Sequence, residues 1–181
     1  SQRHWHYFRR LAPRSQVETT VNYNHFQSLV NGLLTSIATD HQARNQPELI
    51  PAQLPALTLA YIGDAFFTLY VRTRLLTHAY YKVRVLHTLD AQMVSAKYQA
   101  VALRELEPDL TEPELAIVRR GRNTKSRPTK SATVGDYRHS TAFEALLGYL
   151  FLTNSPRLYA IADKAFVIIS RKLVQNTAED L

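Results

Sequence analysis

The stretch Leu57 to Arg72, LTLAYIGDAFFTLYVR, constrains this chain more than any other. It is apolar almost throughout and carries a single acid, Asp64. Leu59, Ile62, Phe66, Leu69 and Tyr70 recur at helical spacing, which predicts a helix turned largely inward. A carboxylate in such a helix loses hydration and needs a cation, a metal or several donors in return. Its neighbours are small: Gly63 precedes it, and Ala60 sits one turn back on the same face. Glycine inside a helix costs roughly 1 kcal/mol relative to alanine. A glycine beside an inward acid therefore predicts that something packs unusually close.

The second half of the pattern lies eighty residues on. Ser140 to Leu152, STAFEALLGYLFL, is another apolar segment with one acid, Glu144, and Gly148 one turn after it. The chain has only 5 glycines, and two of them flank these two acids. Each acid alone reads as an ordinary partner for an arginine or a helix end. The pair favours two helices that cross closely and share a cation.

YIGDA with its apolar run, and TAFEALLGYLFL, resemble the two catalytic helices of the ribonuclease III endonuclease domain. The fuller resemblance is to its short branch, Mini-ribonuclease III. That branch is suggested by VSAK at Val94 to Lys97, RRGRNTKS at Arg119 to Ser126, and YRHSTAFEALLGYLFL from Tyr137. The resemblance runs from Leu54 to Lys172 and leaves the first fifty residues outside it. It implies an all-α, homodimeric, metal-dependent endonuclease for double-stranded RNA, with Asp64 and Glu144 as catalytic and metal-binding residues and Mg²⁺ as cofactor. It further implies maturation of a large-subunit ribosomal RNA precursor, with a large-subunit ribosomal protein as a further partner. The implied setting is a bacterial cytoplasm, with a chloroplast or mitochondrion as the alternative. No appended double-strand-RNA-binding domain is expected. Larger members of the family carry four site carboxylates. Here Ala60 and Thr141 stand where two of them are expected, which favours one metal, or a second one recruited by the phosphate.

The formal net charge is +7, and its distribution says more than its size. Arg119 to Arg138 holds seven of the 22 Lys and Arg and one acid, Asp136. The first 14 residues hold four Arg and no acid, and the remainder is slightly acidic. Local basic segments point to a polyanion partner. Within RRGRNTKSRPTK, Arg forks bind phosphates bidentately and Asn, Ser and Thr add neutral donors. Arg119, Arg120, Arg122, Asn123, Lys125, Arg127 and Lys130 are therefore candidate RNA contacts, joined by Lys97 and His139. A charge run is also often a solvated surface, and a His beside a helix start is often a cap.

Two regions are expected: residues 1–50, an arm with an extra helix and a proline-rich linker, and residues 51–181, the ribonuclease III-like domain. Ser1 to Gln16 reads as an arm in which Trp5, Tyr7 and Phe8 interleave with His and Arg, suited to stacking on bases or to no structure at all. Asn24 to Thr39 reads as an amphipathic helix, packed on its own domain or on a partner, followed by Pro47, Pro51 and Pro55. Leu86 to Leu106 reads as one long helix stopped by Pro108. Thr111 with Glu114 is a capping box, and the helix it opens ends at Gly121 as C′ residue. Arg122 to Tyr137 reads as a loop, a helix follows from Ser140, and Ser155 caps a last helix through Leu173. No segment alternates like a strand, and there is no internal repeat.

The chain has no cysteine, which excludes disulfides and thiolate chemistry. No apolar run approaches the roughly 18 residues that span a bilayer. Spaced metal-binding histidines, a P-loop and a dinucleotide fingerprint are all missing. Two other classes stay open: a non-catalytic RNA-binding or ribosome-associated protein on the same fold, and a helical adaptor, which the basic loop disfavours.

Overall fold

The computed structural model describes residues 23–39, 49–78, 82–124 and 133–179, and every regular element among them is helical. The chain divides into two units between Glu48 and Leu49. The first contains α1 (Tyr23–Thr39), whose Leu29, Leu33, Leu34 and Ile37 share one exposed side. The aromatic and arginine-bearing arm lies outside the described residues, as does the Phe26 side chain.

The second unit contains α2 (Ala56–His78), α3 (Val83–Met93), α4 (Ala96–Leu106), α5 (Glu112–Arg122), α6 (Val134–Leu152) and α7 (Arg157–Glu179). Helix α6 is the centre. Apart from the half-buried Glu144 and Tyr149, it is buried on every side from Ser140 to Leu150, because α2, α4 and α5 all pack against it. An apolar helix with no polar face is stable only when enclosed in this way. Helix α7 closes over α4. Phe67, Met93, Leu103, Phe143, Leu146, Leu147 and Ile169 fill the shared core. The Phe67 and Phe143 rings meet edge to face at 4.9 Å and join α2 to α6.

Several boundaries differ from the sequence reading. The long helix expected over Leu86 to Leu106 is two helices. Val94 closes α3, and Ser95, in extended conformation, opens α4. Ser favours this boundary position, and the change of direction sends Met93 and Leu103 into one core. Gly121 is not a C′ residue but lies inside α5, which runs to Arg122. A Cβ there would meet the Ala142 Cα at 2.5 Å, so the glycine lets α5 lie against α6. Helix α6 begins at Val134, not Ser140, because Thr133 caps it by accepting from the Asp136 N–H at 3.0 Å. The last helix runs on to Glu179. Leu69 is exposed rather than inward. The capping box stands as expected: the Thr111 N–H donates to Glu114 Oε2 at 2.8 Å. Arg157 at the start of α7 grips the same carboxylate at 2.6 and 3.0 Å, tying α5 to α7.

Candidate active site

At Gly63 and Gly148, helices α2 and α6 cross backbone against backbone. A Cβ on Gly63 would fall 1.7 Å from the Glu144 carbonyl oxygen, and one on Gly148 would fall 1.9 Å from that of Leu59. Each glycine accepts the other helix's backbone into the space a side chain would take. The neighbour of Gly63 is Asp64, so this contact brings Asp64 beside Glu144. Asp64 is exposed, contrary to the expectation that it is buried, while Glu144 is half-buried. The Glu144 carboxyl is pushed up from the usual 4.5 to about 7, first by burial and then by the negative charge of Asp64; Gln99 works in the opposite direction.

Among the described residues neither carboxylate belongs to an ion pair. Two acids held together without a cation fit a divalent metal, which relieves their repulsion. The described residues contain no cluster of three or more His, Cys, Asp or Glu able to hold one. A cation here would have two carboxylates from the protein and would need its other ligands from water or phosphate, as Mg²⁺ commonly does. The other two positions are closed to this role. Ala60 is buried against Leu59, Ile117 and Ala145, and the Thr141 hydroxyl donates to the Tyr137 carbonyl at 3.0 Å.

Sequence reasoning missed Gln99 and Ser140. Gln99 is fully buried on α4, and its Oε1 accepts from the Ser140 Oγ at 2.6 Å. The available signal was a polar side chain at a position that α4 turns inward, between Ala96 and Leu103.

The basic candidates separate into groups. Arg119 donates to Glu112, and Arg122 donates to Glu107 at 2.7 Å. Arg120 donates to the carbonyls of Ala52, at 2.6 Å, and Leu54. All three lie on α5, Arg122 at its last residue rather than in the loop expected there, and all are engaged within the unit. Asn123 ends that helix. Lys97 is exposed over the Tyr98 ring. The His139 Nδ1 lies 2.8 Å from the Gly135 carbonyl of its own helix, within α6 rather than at its start. Lys125, Arg127 and Lys130 lie outside the described residues.

The family model of the ribonuclease III domain matches residues 57–155, a span that holds both Asp64 and Glu144. A protein of Symbiobacterium thermophilum called Mini-ribonuclease 3 is 46% identical over 123 residues, covering 67% of this chain and 95% of that protein. One of the same name in Desulfitobacterium hafniense is 50% identical over 102 residues, covering 56% of this chain and 65% of that protein. A crystal structure of a Fusobacterium nucleatum protein superposes with a TM-score of 0.59 at 30% identity, covering 66% of this chain and 95% of that one.

Proposed function

Because this chain belongs to the ribonuclease III family, in the Mini-ribonuclease 3 branch, we propose that it is a metal-dependent endoribonuclease that cuts double-stranded RNA at Asp64 and Glu144. The observation that carries this reading is the crossing at Gly63 and Gly148, which holds two carboxylates together with no cationic partner among the described residues. Asp64 and Glu144 are the residues that would hold Mg²⁺ jointly, and the exposed Asp64 is the side open to a phosphate. Bound Mg²⁺ supplies charge neutralisation at the phosphate and activation of water. The duplex is read by its A-form backbone rather than by base edges. The grip on that backbone falls to Lys97, Lys125, Arg127, Lys130 and His139, supported by their charge and their nearness in sequence to α4 and α6. Arg119, Arg120 and Arg122 act chiefly in holding α5.

A homodimer with two such sites would cut both strands of one helix. Its support is a stripe on α2, where Leu57, Tyr61, Leu69 and Leu76 are all exposed. The family resemblance supports a large-subunit ribosomal RNA precursor as substrate and a large-subunit ribosomal protein as a further partner. Bacterial relatives support a bacterial cytoplasm or an organelle descended from one.

Incubation of the protein with a long RNA duplex and Mg²⁺, beside single-stranded RNA and duplex DNA, tests the reading. Cleavage of the RNA duplex alone, abolished by chelation, is the expected result. A second reading, a non-catalytic binder of duplex RNA, is favoured by the loss of acids at Ala60 and Thr141. Tight duplex binding with no cleavage at any Mg²⁺ concentration would establish it instead.

A further inference from the structure

Gln99 is wholly buried, yet it is a long polar side chain on a helix face otherwise occupied by Ala96, Ala100 and Leu103. One end of its amide is satisfied: Oε1 accepts from the Ser140 hydroxyl at 2.6 Å. The other end is not. Nε2 is buried and has no partner at full hydrogen-bond geometry. A buried donor without a partner is costly, so a fold that keeps one does so beside a group able to use it. Ser140 and Glu144 are four residues apart on α6 and project from the same face. A side chain bonded to Ser140 therefore lies next to the Glu144 carboxyl. The Gln99 side chain is also within hydrogen-bonding reach of the Glu144 carboxyl.

The orientation of the amide follows from the same contacts. The Ser140 hydroxyl has one proton, and giving it to Oε1 turns the NH₂ group away from Ser140. The reversed amide would face its oxygen toward the carboxylate, bringing two acceptors together in a buried space. Ser140 thus determines which end Gln99 offers.

Resting on the reading of Glu144 as a metal-binding carboxylate, we propose that Gln99 is a positioning residue for Glu144, held in orientation by Ser140. Nε2 takes one carboxylate oxygen of Glu144 and leaves the other for the cation shared with Asp64. Gln99 touches neither substrate nor metal. It acts by holding one of the two ligands in a single rotamer, as outer groups around metal-binding carboxylates generally do.

The test compares Gln99→Leu, Ser140→Ala and Glu144→Gln with the parent chain. Mn²⁺ affinity is measured calorimetrically without RNA, and kcat and KM are measured on duplex RNA. Leu matches Gln in bulk and removes both polar ends. Gln99→Leu is expected to weaken Mn²⁺ binding about 10- to 100-fold. It should lower kcat at limiting Mg²⁺, leave KM for RNA unchanged, and recover rate as Mg²⁺ is raised. A merely structural role would lower the melting temperature and leave Mn²⁺ affinity alone. Ser140→Ala frees the amide to turn and should weaken Mn²⁺ binding several-fold; it decides the matter if Gln99→Leu does not fold. Loss of Mn²⁺ binding in Glu144→Gln with parental affinity in both other variants would overturn this inference alone. Parental affinity in Glu144→Gln as well would overturn the metal site itself.

Discussion

Glu144 carries an electrostatic cost that the metal-free protein bears at neutral pH. Its carboxyl titrates near 7 in the folded chain, raised from 4.5 by burial and by Asp64. A raised carboxyl means that the unfolded chain releases its proton first. Stability contributed by protonated Glu144 is complete below about pH 4.5, falls as pH rises toward 7, and is gone above it. The shift corresponds to about 3 kcal/mol as an upper figure. Glu144→Gln should therefore stabilise the metal-free protein at pH 8 and give no advantage at pH 4. Melting curves in chelator at the two pH values check this, and added Mg²⁺ should shrink the difference at pH 8. Asp64→Asn removes the repelling charge while keeping shape, and Asp64 is exposed. That variant should fold at least as stably as the parent, bind duplex RNA, and lose several orders of magnitude in cleavage rate. Near-parental cleavage by a folded Asp64→Asn protein would end the catalytic reading.

At the scale of elements, the crossing of α2 and α6 is the most demanding feature. Gly63→Ala and Gly148→Ala each force a methyl to within 2 Å of a backbone oxygen, and a backbone in mid-helix cannot step aside. Each should cost about 3 kcal/mol or more and lower the melting temperature by roughly 10 °C. Gly32→Ala is the control, because nothing lies within 4 Å of a Cβ there. It should be neutral or stabilise α1 by up to about 1 kcal/mol. Equal melting temperatures for all three would mean that the crossing has slack. This crossing was legible in the chain, because glycine is scarce and two of the five sit beside the two isolated acids. Other boundaries were not. The apolar rhythm Leu89, Met93, Ala96, Ala100 and Leu103 continues across the break at Ser95, so periodicity alone conceals it. The cap at Thr133 was masked by the polar, basic composition around it, although Asp136 three residues on is the matching signal. The engagements of Arg120 and Arg122 could not be read at all. Their partners lie up to 68 residues away in sequence, and nothing local distinguishes a clamped arginine from a free one.

For the whole molecule, the exposed stripe on α2 is the feature that a second copy would cover. Leu57, Tyr61, Leu69 and Leu76 recur along one side of the helix that also carries Asp64. Large apolar groups aligned in this way mark an association surface. Sedimentation should find a dimer at micromolar concentration, and Tyr61→Lys with Leu69→Lys should give a folded monomer. A parent chain that sediments as a monomer would remove the dimer from the proposal. Substrate grip is a property of the same scale. Neutralising Lys125, Arg127 and Lys130 should flatten the salt dependence of duplex binding by about one unit of log–log slope per lost phosphate contact. An unchanged slope would mark these cations as solvated surface.

The contact between Gly63 and the Glu144 carbonyl has a consequence for how such a site changes over evolutionary time. The spacing of the two acids' backbones is set by main chain lying on main chain, and side chains such as Gln99 act only on how each carboxyl is turned. Acids around the pair can be exchanged, as alanine and threonine at positions 60 and 141 illustrate, while the ruler that spaces Asp64 from Glu144 stays the same length. In a saturation library selected only for folding, positions 63 and 148 should tolerate nothing but glycine, whereas position 64 should accept many residues. The geometry for catalysis would then persist in lineages that had already given up the chemistry.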